Sequence, residues 1–309
     1  MASIDVSFTL NRIRSTTLLR YLNPVPQLDF HRHRSMNSKL GSVLAILTAC
    51  AMSAFAESPE PPSWLDSITR VVPGGYANLR PVKLGYSLSW NNRVNAGKFL
   101  ISVIDPKDSS GQLIGDASGR SSGFARILWP YDFRARSIIY KESLRPVVFQ
   151  LREKDRKATN SYDIIFERDR QVYTTTAQKK NKEAITATSG FDFDFGQDIL
   201  SSSFYLRSHS LEDGEKLSMV VTPFNCPYLT ELEVMGRESR RIKGKVYETI
   251  RLDVRVGKIN TDLSIKTYDK IKQTSLWVSD DEYRIPLELQ SQISVGFVSA
   301  RLTNQEWLD

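Results

Sequence analysis

The sequence predicts an all-β protein: an antiparallel meander that curls into an open or nearly closed barrel or roll, with one short helix. Three observations carry this. Beyond residue 80, apolar residues recur at every second position in run after run. Turn-forming residues punctuate the runs at short intervals, and no long segment shows the 3.6-residue period of a helix. Many short sequential strands favour a meander that curls on itself.

Four segments are expected: an upstream extension over 1–35, a signal peptide over 36–56, a linker over 57–80, and a single β domain over 81–309. Leu40 to Ala56 is an apolar run preceded by Lys39 and closed by Ala54-Phe55-Ala56. A positive start, an apolar middle and a small-x-small end describe an export leader. Cleavage after Ala56 competes with a lipoprotein-like box, Leu47-Thr48-Ala49-Cys50, that would lipidate Cys50. The secreted form is then expected to begin at Glu57 or at a lipidated Cys50, in the periplasm or anchored to the envelope. Met36 is an alternative start, which leaves residues 1–35 outside the protein proper; an organelle transit peptide is the competing reading, weakened by Asp5, Asp29 and two prolines.

Removing the leader changes what composition allows. Residues 1–56 hold six basic residues against Asp5 and Asp29, so +4 of the chain's +7 lies there. The remaining excess is too small and scattered for a nucleic-acid footprint. Only His209 and Cys226 remain of their kinds. A zinc site draws several such ligands, and a disulfide needs two cysteines. No cofactor is expected.

The elements follow in order. Leu84, Tyr86, Leu88 and Trp90 alternate with small polar residues, Asn91-Asn92-Arg93 turns the chain, and Phe99, Ile101 and Val103 continue: a hairpin. Strands are expected at 124–128, 137–140, 147–152, 162–166, 172–176 and through Phe191, Phe193 and Phe195. More follow at 217–221, 230–234, 250–256, 274–279, 284–290 and 295–302. The helix is Ile199 to Arg207 with Asp198 as its N-cap, and it is expected to cover the sheet edges. The face assignment is sharpest in the alternating run Ile250, Leu252, Val254 and Val256, where Leu252 and Val254 should point inward and Arg251 and Asp253 outward.

Several motifs invite chemistry. Gly119-Arg120-Ser121-Ser122-Gly123 fits G-x-S-x-G, with Asp198 and His209 downstream in the right order. That motif needs a strand before it and a helix after it, and the sequence reads as a Gly/Ser loop followed by a strand. His209 reads as a surface or capping residue rather than a base. Asp280-Asp281-Glu282 reads as a solvated turn rather than a calcium site. Arg237, Arg240, Arg241, Lys243 and Lys245 read as a solvated hairpin loop rather than an anion-binding patch. Lys179, Lys180 and Lys182 read as another exposed loop. Pro286 marks an edge strand, a strand start or a bulge. The inner face would be lined by Tyr86, Trp90, Phe99, Phe166, Phe193, Ile250 and Leu252. A barrel of this many strands leaves room there for an apolar ligand.

The opening hairpin with Tyr86, Trp90 and Ala96-Gly97 is one of several pieces shared with a known family. Others are Leu144-Arg145-Pro146, Asp198-Ile199-Leu200-Ser201 with Tyr205-Leu206-Arg207, and Gly236-Arg237-Glu238. The most specific is Leu276-Trp277-Val278-Ser279-Asp280-Asp281-Glu282 with Ile285-Pro286-Leu287. The pattern resembles the bacterial DUF3108 family, and the resemblance implies an exported, β-rich envelope protein with no catalytic residues to carry over. Leu276 to Leu289 is also similar to periplasmic lipoprotein carriers, whose open barrels hold acyl chains. The expected function is a non-enzymatic envelope protein that binds lipid or another envelope component. The alternatives are a structural or assembly factor with a filled core, and a hydrolase using carboxylates and serines.

Overall fold

A computed structural model describes residues 62–70, 73–75, 79–107, 111–267 and 273–308. All of them belong to the unit Ser58–Asp309. The expected leader, with Cys50 and Ala56, lies outside the described residues.

The chain opens with a short 3-10 turn, Ser63–Leu65. A long meander follows: β1 (Val82–Trp90), β2 (Val94–Ile104), β3 (Gln112–Ser121), α1 (Gly123–Leu128), β4 (Asp132–Tyr140), β5 (Pro146–Lys154), β6 (Ala158–Phe166), β7 (Arg170–Lys179) and β8 (Ile185–Asp192). After β9 (Gly196–Gln197) comes α2 (Ile199–Arg207). The chain then forms β10 (Lys216–Val221), β11 (Tyr228–Ile242), β12 (Lys245–Ile259), β13 (Ile265–Thr267), β14 (Thr274–Ser279), β15 (Pro286–Gln292) and β16 (Phe297–Trp307).

These strands make one 16-stranded sheet, ordered β8-β7-β6-β5-β4-β3-β2-β1-β16-β15-β14-β12-β11-β10-β9, with β13 added to β12. Neighbours are antiparallel except β9 and β10. The sheet does not close: β8 ends one side and β9 the other. Asn91 and Asn92 turn the first hairpin at φ of 49° and 56°, the left-handed region that asparagine tolerates.

Three expectations fail locally. Phe124–Leu128 is a helix, not a strand, so there are two α-helices where one was expected. The Gly115–Ser121 stretch is the body of β3, not a loop. Its small residues mislead because their side chains have no room. A Cβ on Gly115 would sit 3.2 Å from the Phe204 ring and 3.4 Å from Leu200 of α2. One on Gly119 would sit 2.5 Å from the Phe133 ring. Glycine lets helix and aromatics lie directly on the strand. The Phe191, Phe193 and Phe195 run also breaks, since β8 stops at Asp192.

The largest apolar cluster joins Val82, Leu84 and Tyr86 of β1 to Phe204, Leu252, Val278 and Leu302. A second holds Phe149, Ile164 and Tyr173. The third packs Trp64 and Ile68, from the segment read as a linker, on Phe193, Val220 and Ile259.

Helix α2 lies on the inner face, and its N-terminus is held by a full capping box. Asp198 accepts from Leu200 N at 2.7 Å and Ser201 N at 2.9 Å, while Ser201 Oγ accepts from Asp198 N at 2.9 Å. Ser137 of β4 donates to the same carboxylate at 2.5 Å, tying helix to sheet. At the other end Arg207 is buried and donates to Tyr283 O at 3.0 Å. Burial pulls its guanidinium down to about 10. Edge strand β8 is not covered by the helix; all its residues but Phe191 are exposed.

Burial pushes the Asp198 carboxyl up to about 6, against opposing hydrogen bonds from Ser137, Ser201 and Leu200. A folded pKa above the unfolded value favours the protonated form in the native state. This contribution is complete below the unfolded pKa of about 4 and is lost as pH rises through the folded pKa. Thermal melts between these limits should therefore show stability falling as pH rises. In Asp198→Asn, which keeps a capping oxygen, that part of the slope should vanish; an unchanged slope would assign it to another group.

Candidate ligand-binding groove

The seven residues expected to line one cavity do not all come together: of them only Tyr86 and Phe99 border the groove described below. Tyr86, Phe99, Ile250 and Leu252 belong to the main core, with Tyr86 stacked on Phe99 at 4.7 Å and 9°. Phe166 packs with the Phe149 cluster, and Phe193 with the Trp64 cluster. Trp90 is exposed at the end of β1, where its Nε1 donates to Val295 O at 2.9 Å.

The motif residues also find other roles. Ser121 ends β3 and Gly123 opens α1, so the strand and helix around G-x-S-x-G are both present, contrary to the sequence reading. A triad does not assemble from them. Ser121 Oγ accepts from Tyr131 N at 2.9 Å, Asp198 caps α2, and His209 Nδ1 lies 3.6 Å from Glu215. His209 is buried against the Tyr205 ring rather than at the surface, and burial lowers its pKa. Asp281 Oδ1 accepts from Ser279 Oγ, Tyr283 N and Arg284 N, which closes the β14–β15 turn. Pro286 starts β15 at a register shift.

Arg241, Lys243 and Lys245 are exposed at the β11–β12 hairpin turn, as expected, but the other two members of the basic cluster are paired. Arg237 bonds Asp213 and lies 3.3 Å from Asp280. Arg240 Nε donates to Glu288 at 2.8 Å, with its guanidinium 3.5 Å above the Trp277 ring.

Cations without such partners lie elsewhere, on the face of β1–β5 opposite the core. Strand register decides which residues share that face. Ser87, Lys98, Arg120, Asp132 and Lys154 form one cross-strand row; Gly85, Leu100, Ser118, Arg134 and Arg152 form the next. Gly85 and Ser118 are small, so the long side chains around them wall a groove of about 660 Å³. Lys98, Leu100, Arg120, Asp132, Arg134 and Arg152 line it, with Thr303 and Asn304 from β16, and the intervening row Tyr86, Phe99, Gly119 and Phe133 also borders it.

The groove is strongly positive. Lys98 lies directly opposite Arg120, and Arg134 directly opposite Arg152. Like charges facing each other across a ladder destabilise it. Asp132, the groove's carboxylate, is already held by both Arg126 nitrogens at 2.9 and 2.8 Å. That bond, with Arg120 and Lys154 behind it, keeps the Asp132 carboxyl below the usual carboxylate range. Among the described residues, Lys98, Arg120, Arg134 and Arg152 make no side-chain hydrogen bond or ion pair with the protein. Sequence reasoning missed all four. Their only signal was alternation on the polar side of each strand, and nothing in one strand says what stands across from it.

A family model described as a protein of unknown function, DUF3108, matches residues 85–303. The chain belongs to the DUF3108 family. The match covers β2–β5 of the groove and most of β1 and β16. No curated protein matches this DUF3108 chain. Among solved structures it is similar to a β-barrel-like protein of the DUF1849 family from Brucella abortus, at 9% identity and a TM-score of 0.47, covering 75% of this chain and 99% of that one. It is also similar to a candidate exported protein with a YmcC-like fold from Bacteroides fragilis. That match has 5% identity and a TM-score of 0.30, covering 76% of this chain and 98% of that one.

Proposed function

We propose that this DUF3108 protein is an exported cell-envelope protein that binds, without catalysis, an amphipathic ligand carrying an anionic head. The leader ending at Ala56 supports export, in either the soluble or the Cys50-anchored form. The observation that carries the binding reading is the pair of facing like charges, Lys98 with Arg120 and Arg134 with Arg152. A bound anion would remove the repulsion that the free ladder keeps. Leu100 and the aliphatic stems of the basic side chains offer the ligand an apolar surface beside the charges. The inner face, by contrast, is occupied by α2 and its aromatic partners.

The sign of a charge deletion tests this. Arg152→Ala should leave the unliganded protein equally stable or more stable by about 0.2–1 kcal/mol at low salt, since a facing repulsion is removed. The gain should shrink as salt screens the pair. The same variant should bind dihexanoyl phosphatidylglycerol several-fold more weakly, measured by titration calorimetry on protein purified from its own envelope. Equal binding of the zwitterionic choline analogue, or destabilisation on removing the charge, would overturn the reading. The N-terminus of that preparation, at Glu57 or at a lipidated Cys50, reads the export step.

A further inference from the structure

A surface helix normally turns its apolar stripe to the core and its polar side chains to water. Helix α1 does the reverse. It is anchored to the sheet by polar groups: Ser122 N donates to Ala96 O at 3.1 Å, and Arg126 clamps Asp132 at 2.9 and 2.8 Å. Arg156 also donates to Ile127 O. No residue of the helix is buried. Phe124, Ile127, Leu128 and the following Trp129 are 63, 68, 64 and 62% exposed. Four adjacent large apolar side chains left in water and held there by specific polar anchors mark an interaction surface.

Register shows what surrounds them. Gly97 pairs with Ser121, Arg120 with Asp132, Asp132 with Lys154, and Ala158 with Lys179. The β1–β2, β5–β6 and β7–β8 turns therefore emerge at the same end of the strands as α1. So does the β15–β16 turn, whose Val295 is itself exposed and is tied to Trp90. These turns bring Arg93, Arg156, Lys157, Lys179, Lys180 and Lys182 to that end. The acids there are few: Asp155 is spent on the backbone N–H groups of Lys157 and Ala158, and Glu183 stands beside Lys182. An apolar projection fringed by lysine and arginine has the composition of a segment that lies in a membrane interface, with apolar side chains among the acyl chains and cations at the headgroups.

We infer that the α1 end of the sheet docks on an anionic bilayer, with Phe124, Ile127, Leu128 and Trp129 entering the interface. The occupant is a lipid surface rather than a protein because the fringe is basic on several separate turns. This rests on α1 and its flanking turns, not on the groove. The two are separable by mutation, since α1's apolar side chains do not line the groove.

Sedimentation of the full chain with phosphatidylcholine vesicles containing one-third phosphatidylglycerol tests it. The protein should pellet with these vesicles and at least tenfold less with pure phosphatidylcholine. An Ile127→Glu, Trp129→Glu double variant should lose at least tenfold in partition with an unchanged melting temperature, because both side chains stand in water in the free protein. The wild type, but not the variant, should show quenching of tryptophan fluorescence by brominated acyl chains. Full binding by the double variant would overturn the inference and assign the contact to basic residues alone. So would a lipid-free dimer that the same substitutions dissociate, since the occupant would then be a second copy. Loss of vesicle binding in Arg152→Ala with α1 intact would also overturn it, placing the lipid in the groove.

Discussion

Leu252→Ala is expected to lower the unfolding free energy by about 2–5 kcal/mol, the cost of lost apolar burial plus the cavity left behind. Leu252 is fully buried. It is held on both sides within the sheet, opposite Val234 of β11 and Leu276 of β14. Ile250 shares its face and is equally buried. The adjacent Arg251 points the other way. Its Nη2 lies 3.2 Å from Asp253 Oδ1 on a half-buried surface. Arg251→Ala should cost no more than about 1 kcal/mol, as partly exposed ion pairs do. Urea melts of the two variants check the contrast. Equal destabilisation would mean that β12 is buried on both faces, and the open roll would have to be abandoned.

A comparably large effect is expected at Glu288. Its side chain has no exposure, and it stands between Arg240 Nε and Arg301 Nε, each at 2.8 Å. Arg240 in turn lies 3.5 Å over the Trp277 ring, whose Nε1 donates to Glu238 at 2.6 Å. Glu288→Ala leaves Arg301 without its carboxylate and Arg240 with only Glu238, 3.6 Å away, and should cost about 3–5 kcal/mol, because an uncompensated charge is worse than an absent pair. Adding Arg240→Ala should therefore cost less than the sum of the separate losses. A loss below about 1 kcal/mol in the single variant would mean that water already screens the cluster.

What was legible in the sequence follows the physics of each element. Period-two alternation revealed the strands wherever one face was apolar and the other polar. The α2 boundaries were readable to the residue, because Asp198 and Ser201 cap it locally. Strand β8 was read only at Phe191, because its apolar side is diluted by Ala187 and Ser189 and the alternation of Ile185 and Phe191 with Thr186, Thr188 and Asp192 is faint. Strand β3 was missed because α2 and Phe133 press on it and leave room only for small residues. Helix α1 was taken for a strand because its apolar side chains serve no core, and their spacing answers to something outside the fold. The groove was invisible for a different reason: Lys98 and Arg120 become neighbours only when two strands are set in register, and so do Arg134 and Arg152.

The placement of β1 has a kinetic meaning as well. The first long strand pairs with the last, Val82 opposite Trp307, and that pair lies within the sheet rather than at its margin. Hairpins such as β1–β2 or β5–β6 can form as the polypeptide emerges. The other edge of β1 has no partner until the eleven residues of β16 exist. Closing so distant a contact is slow, and the halves it joins expose apolar surface until it happens. The chain thus carries its own delay: it cannot complete its core before β16 has been made. Until β16 arrives, the β1–β8 meander and the β10–β15 half are two separate sets of strands, and β16 is the segment that locks them together.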